Sequence, residues 1–203
     1  MGRTSEAKDK LIDSAINLIS NRSYSSVGVQ ELCDHAGVKK GSFYHFFDSK
    51  KELTIISLNA MWDYYRENMI VPLIESDLSI EEKFDSLLNK SYEMSVNSKE
   101  CNGCLSGCPF GNLALELSTQ EEEIRVVLEN IFKDWISCFE KLINKSVERG
   151  ELPANTNSYA TAQSIIAYIE GLSLIGKTFN DPEIVRNLGC VVRNLSICSC
   201  EEV

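Results

Sequence analysis

Two groups of residues could do chemistry. The first is a thiol series, Cys101-x2-Cys104-x3-Cys108-Pro109, inside "SKECNGCLSGCPFGN". Thiolates are nucleophiles and soft-metal ligands, so this spacing suits addition to an electrophile, disulfide formation, or a zinc or iron–sulfur centre. A metal centre would need a fourth ligand, from Cys138 or the Cys198/Cys200 pair, so the run alone is an incomplete site. The second group is "HAGVKKGSFYHFF", His35 to Phe47. Lys39 and Lys40 suit phosphate, and Ser42, Tyr44 and His45 can donate to phosphate or base edges. Gly41 would let the backbone approach a sugar–phosphate wall. Each group also has a plain reading: buried inert cysteines, and lysines on a solvated helix face.

The chain has 203 residues and a formal charge of −10, which at first sight argues against a polyanionic partner. The charge is uneven. Residues 1–60 hold eight Lys+Arg against seven Asp+Glu, a net of +1, and the remainder twelve against twenty-three, a net of −11. Local potential decides contact, so the near-neutral first segment can meet DNA while the acidic remainder lowers unspecific attraction. No apolar run spans a bilayer, and "MGRTSEAKDK" has no signal-peptide core, so a cytoplasmic protein without a membrane partner is expected. With eight cysteines in such a compartment, buried, reactive or metal-binding thiols are expected rather than a disulfide framework. There is no H-E-x-x-H, P-loop or strand-borne G-x-G-x-x-G, and no enzyme is expected, although a helical thiol enzyme is the rival class.

Few prolines and little strand-type alternation predict an all-α fold. Helices are expected near 5–21, 27–35, 38–46 and 50–71, with Pro72 ending or kinking the fourth. Ser25 or Ser26 is expected to cap the second helix, and Gly37 to make a left-handed turn into the third. Further helices are expected near 78–97, 113–117, 120–149, 156–178 and 182–197. Two short helices joined by a tight glycine turn form a helix-turn-helix, here at about 27–46.

"VGVQELCDHAGVKKGSFYHFFDSKKEL", Val27 to Leu53, closely resembles the DNA-binding segment of TetR-family transcriptional regulators, and the match extends over about residues 5–64. Ser23, Cys33 and Lys39 depart from the residues most common in that segment, which puts operator preference in question rather than the fold. The resemblance implies a three-helix DNA-binding domain at 4–64 and a helical effector-binding and dimerisation domain at 65–203. It implies a homodimeric repressor on a palindromic double-stranded DNA operator, released by a small molecule. Carried over residue by residue, it assigns Lys39, Lys40, Gly41, Ser42, Tyr44 and His45 to the groove and backbone. Gln30 becomes a base-edge candidate, and Ser26 and Lys50 phosphate clamps. His35 reads instead as a partner of a helix C-terminus.

"GCPFGNLALELSTQEEEIR", Gly107 to Arg125, resembles the acrylate- and electrophile-responsive branch, in which the Gly-Cys begins a pocket-lining helix. A helix N-terminus favours the thiolate, making Cys108 the candidate sensor and Cys101 or Cys104 its resolving partner. Phe110 and Trp135 are pocket or core aromatics, while Asn112 and Glu116 would orient a polar ligand, cap a segment, or pair with Arg125. No cofactor is expected unless the thiols hold a metal or cluster. The last two helices have wide apolar faces, and the resemblance implies that they pack against a second copy.

Overall fold

The computed structural model describes residues 3–192, with side chains from Glu6 onward, and every regular element among them is helical. The helices are α1 (Arg3–Asn21), α2 (Val29–Ala36), α3 (Lys40–Phe46), α4 (Lys50–Tyr65), α5 (Val71–Glu75), α6 (Ile80–Asn102), α7 (Pro109–Leu117), α8 (Glu122–Glu148), α9 (Ser158–Phe179) and α10 (Glu183–Gly189). None is long and apolar enough to cross a membrane. The chain folds into two compact units. One joins Met1–Tyr64 with Cys108–Ile131, and the other joins Tyr65–Gly107 with Phe132–Val203.

In the first unit, α1 turns Leu11, Ala15 and Ile19 inward at helical spacing. They join Leu32 and Cys33 of α2, Phe43 of α3, and Leu53, Leu58 and Trp62 of α4. α7 adds Phe110, Leu113 and Leu117, all at most 3% exposed. Each such side chain contributes about 2 kcal/mol by leaving water, so a helix some fifty residues beyond α4 helps to build the head's core. The Phe110 ring meets Trp62 edge-on at 6.0 Å, which places this effector candidate in the hydrophobic interior.

In the second unit, Ile70, Phe84, Leu87, Trp135, Phe139, Ile165 and Ile166 are buried. Trp135 stacks on Phe132 at 6.0 Å and meets Tyr65 edge-on at 5.5 Å. α6 opens with a capping box between Ser79 and Glu82 and closes on left-handed Gly103, five residues later than the expected end. Lys83 is 2% exposed, and its ammonium lies 3.3 Å from the Ile74 carbonyl at the end of α5. Burial holds its pKa below the ordinary lysine range, helped by Arg149 nearby.

Three boundaries differ from expectation for physical reasons. α2 begins at Val29 with Gly28 as its N-cap and no capping side chain, because Ser26 bonds within its own loop to Ser23. α7 begins at Pro109 rather than Leu113, since proline at a first helical position sacrifices no bond. Pro72 does not end the helical path. A regular α-helix would drive its ring into the Asn68 carbonyl, and the chain passes it by widening into a π turn at Arg66–Ile70, where the Val71 N–H reaches Arg66 O. The last part of the helix expected near 182–197 lies outside the described residues, as do Cys198 and Cys200.

Candidate nucleic-acid interface

α2 ends on Gly37, whose φ of 64° and ψ of 30° lie in the left-handed region open to glycine. The Gly37 and Val38 N–H groups bond back to Asp34 O at 3.2 Å and Cys33 O at 2.9 Å, closing the turn. Lys39 then starts α3 as an extended N-cap. Phe43 fixes the inner face of α3, fully buried and 5.7 Å from the Phe47 ring. Lys39 and Lys40 are exposed at the start of the helix, Gly41, Tyr44 and His45 are exposed along it, and Ser42 is half-buried beside them. Tyr44 leans edge-on against Phe43, so its exposed ring is held rather than loose.

Gln30 of α2 is exposed and donates to Asp34 at 2.8 Å. Gln30, Gly37, Lys39 and Lys40 line one open depression, so α2 and α3 present their polar residues on the same surface. A Cβ at Gly41 would meet nothing within 4 Å, so no packing inside the protein demands glycine there. His35 lies exposed in the last turn of α2, with Nδ1 3.0 Å from Ser14 Oγ. Ser26 is exposed, and its hydroxyl donates to Ser23 O at 3.0 Å.

Lys50 differs from expectation. Its ammonium donates to Tyr24 O and Val27 O, both at 2.9 Å, and lies 3.9 Å from the Tyr24 ring centroid. It is thus engaged inside the head rather than held out for a phosphate. Burial lowers its pKa, and the neighbouring Glu116 carboxylate opposes that effect. Lys51 is also paired, 2.5 Å from Glu123 and 3.7 Å from Glu121.

The effector candidates divide between the units. Cys108, Phe110, Asn112 and Glu116 belong to the first, and Cys101, Cys104 and Trp135 to the second. Cys108 is the half-buried N-cap of α7, with Pro109 next. Cys101 and Cys104 are exposed on either side of left-handed Gly103. Asn180, the C-cap of α9, ties their loop down: its side chain accepts from Leu105 N at 3.0 Å and donates to Gly103 O at 3.2 Å. No disulfide joins the described cysteines, and among the described residues no three Cys, His, Asp or Glu are grouped to hold a metal ion. Burial pushes the Cys33 and Cys138 thiols up in pKa, as suits core residues.

Glu116 does not pair with Arg125, which instead grips Glu122 and Glu129, each at 2.7 Å. Its carboxylate accepts from Tyr24 N and Ser25 N at 2.9 Å and from Ser25 Oγ at 2.5 Å. Burial alone would raise its pKa, but the bonds from Ser25 and Tyr24 and the Lys50 charge hold it below the ordinary glutamate value. Sequence reasoning raised capping as one option but had no signal for the capped segment, more than ninety residues away.

Comparison with known proteins settles the family. Residues 11–55 match "Bacterial regulatory proteins, tetR family", and residues 88–191 match "Tetracyclin repressor-like, C-terminal domain". The chain belongs to the TetR family. It is a DNA-binding transcriptional regulator, and the relatives that it matches are regulators rather than enzymes. It is 26% identical over 180 residues to an uncharacterized HTH-type transcriptional regulator in the lacX 3' region of Lactococcus lactis, covering 89% of this chain and 88% of that one. It is 27% identical to the transcriptional regulator AcuR of Cereibacter sphaeroides, covering 84% of this chain and 76% of AcuR. The HTH-type transcriptional repressor NemR of Escherichia coli is 24% identical, with 94% of each chain covered. The crystal structure of reduced NemR superposes with a TM-score of 0.79 at 25% identity, covering 97% of this chain and 99% of that one. α3 lies inside the matched segment 11–55.

Proposed function

We propose that the chain is a cytoplasmic, homodimeric repressor that is released from a palindromic operator when a small electrophile modifies, or a small molecule binds, near Cys108. The DNA-binding domain is 4–64, and 65–203 carry effector binding and dimerisation. Lys39, Lys40, Gly41, Ser42, Tyr44 and His45 meet the groove and its backbone, Gln30 reaches a base edge, and Ser26 meets a phosphate. One observation carries this reading: α3 is locked by Phe43 and Gly37 while its basic, hydroxyl-bearing face is exposed.

Dimerisation through α9 and α10 is supported by the exposed Leu174, Ile175, Phe179 and Leu188, large apolar residues that a second copy would cover. The thiol switch is supported by Cys108 at the N-terminus of α7, where the helix field favours a thiolate able to add to an electron-poor alkene or aldehyde. The Cys108 sulfur would supply the electron pair for the new C–S bond as the electrophile's π bond breaks, and the resulting carbanion (from an alkene) or alkoxide (from an aldehyde) would take a proton from water. In the redox form of the same proposal, a peroxide would oxidise the Cys108 thiolate to a sulfenic acid, and the Cys101 or Cys104 thiol would attack that sulfur, expelling water and closing a disulfide.

Footprinting on the DNA upstream of the chain's own gene tests both halves. Wild type should protect a palindrome, and N-ethylmaleimide should weaken protection about tenfold or more, the usual size of a coupling between sites. Cys108→Ser should protect equally and resist the reagent. Release of the variant as readily as wild type would refute the thiol switch while leaving the repressor reading in place.

A further inference from the structure

The loop Ser23–Val27 connects α1 to α2 and leads directly into the DNA-facing elements. α2 has no capping side chain of its own, so, beyond the Ser23–Ser26 bonds within the loop, its order comes from outside it. Two side chains of opposite charge supply that order. Glu116 takes the donors, accepting from Tyr24 N, Ser25 N and Ser25 Oγ at 2.9, 2.9 and 2.5 Å. Lys50 takes the acceptors, donating to Tyr24 O and Val27 O at 2.9 Å. The Tyr24 residue is gripped by a carboxylate at its N–H and by an ammonium at its carbonyl. Each charge also offsets the cost of removing the other from water.

We infer that Glu116 is a positioning residue for DNA binding, whose carboxylate sets the Ser23–Val27 loop, and through it the start of α2, in the form that presents Ser26, Gln30 and α3. The inference deepens the proposed function and rests on its reading of α3. It also gives α7 a task. Glu116 lies eight residues from Cys108 on one helix, about 12 Å along its axis, so a shift at Cys108 carries to the carboxylate that holds the loop. Lys51, paired with Glu123 beyond α7, ties the start of α4 to the same segment.

Glu116→Gln in the full-length dimer is the test, with Glu122→Gln, which touches only Arg125, as the control. Two measurements are made: operator affinity across a salt series, and amide hydrogen exchange at Tyr24 and Ser25 without DNA. The glutamine should weaken operator binding about tenfold, the scale of a lost charge-assisted bond. Because no phosphate contact is removed, the salt slope should match wild type. Exchange at the two amides should rise about tenfold or more, and the control should behave as wild type. Operator affinity within about twofold of wild type would overturn the inference. So would unchanged exchange at both amides, a result that decides the matter even if the wild type protects no DNA and the functional reading itself has failed. Should Glu116→Gln not fold, Ser25→Ala removes only the hydroxyl donor: about threefold weaker binding is expected, and unchanged affinity would overturn the inference.

Discussion

The starts of α3 and α4 carry the same residue pair, Lys39-Lys40 and Lys50-Lys51, eleven residues apart and both beside a glycine or serine. On paper they are equal claimants for DNA phosphate. In the fold the first pair is exposed at the N-terminal end of α3. The second is occupied, Lys50 by the carbonyls of Tyr24 and Val27, and Lys51 by Glu123. A positive charge near a recognition helix is therefore not enough to make a DNA contact. What decides is whether the rest of the chain brings an acceptor to it first.

The contrast can be broken by treating the pairs alike. Lys39→Ala with Lys40→Ala should lower operator affinity about a hundredfold and reduce the slope of log affinity against log salt by about two. Thermal stability should be nearly unchanged. A slope equal to wild type would place both lysines outside the interface. Lys50→Met should invert that pattern. It strands two carbonyls and removes the charge opposite Glu116, so chemical denaturation should show a loss of about 2 kcal/mol, with the salt slope intact. A lowered slope would return Lys50 to the phosphate-contacting set. Lys51→Ala should be the mildest, since its pair is partly exposed and screened by salt. Little or no measurable loss in chemical denaturation is expected, and a cost as large as that of Lys50→Met would mean that the pair is far better shielded from water than its exposure implies.

The helix-turn-helix was legible because its determinants are local. Gly37 punctuates, Val29, Leu32 and Cys33 recur at helical spacing, and the lysines are consecutive. The early start of α7 was also within reach, because Pro109 after Cys108 marks a first helical position. The π turn at Arg66–Ile70 was not, since a proline in a helical pattern announces a disturbance without saying how the backbone absorbs it. The role of Glu116 was beyond local reading altogether. An acidic residue on an amphipathic helix has many possible partners, and only the tertiary fold brings Tyr24 and Ser25 to this one.

Gly37 and Gly41 stand four residues apart, and neither would crowd a neighbour if it gained a methyl group. Gly37 is nevertheless fixed by its left-handed backbone, a demand of folding. Gly41 has no such demand upon it, and inside a helix it costs about 1 kcal/mol relative to alanine. A seven-residue helix that tolerates this handicap has traded rigidity for clearance. Alanine at 41 would then yield a sturdier protein that sits farther from the duplex, making that position a place where durability and grip can be tuned against each other.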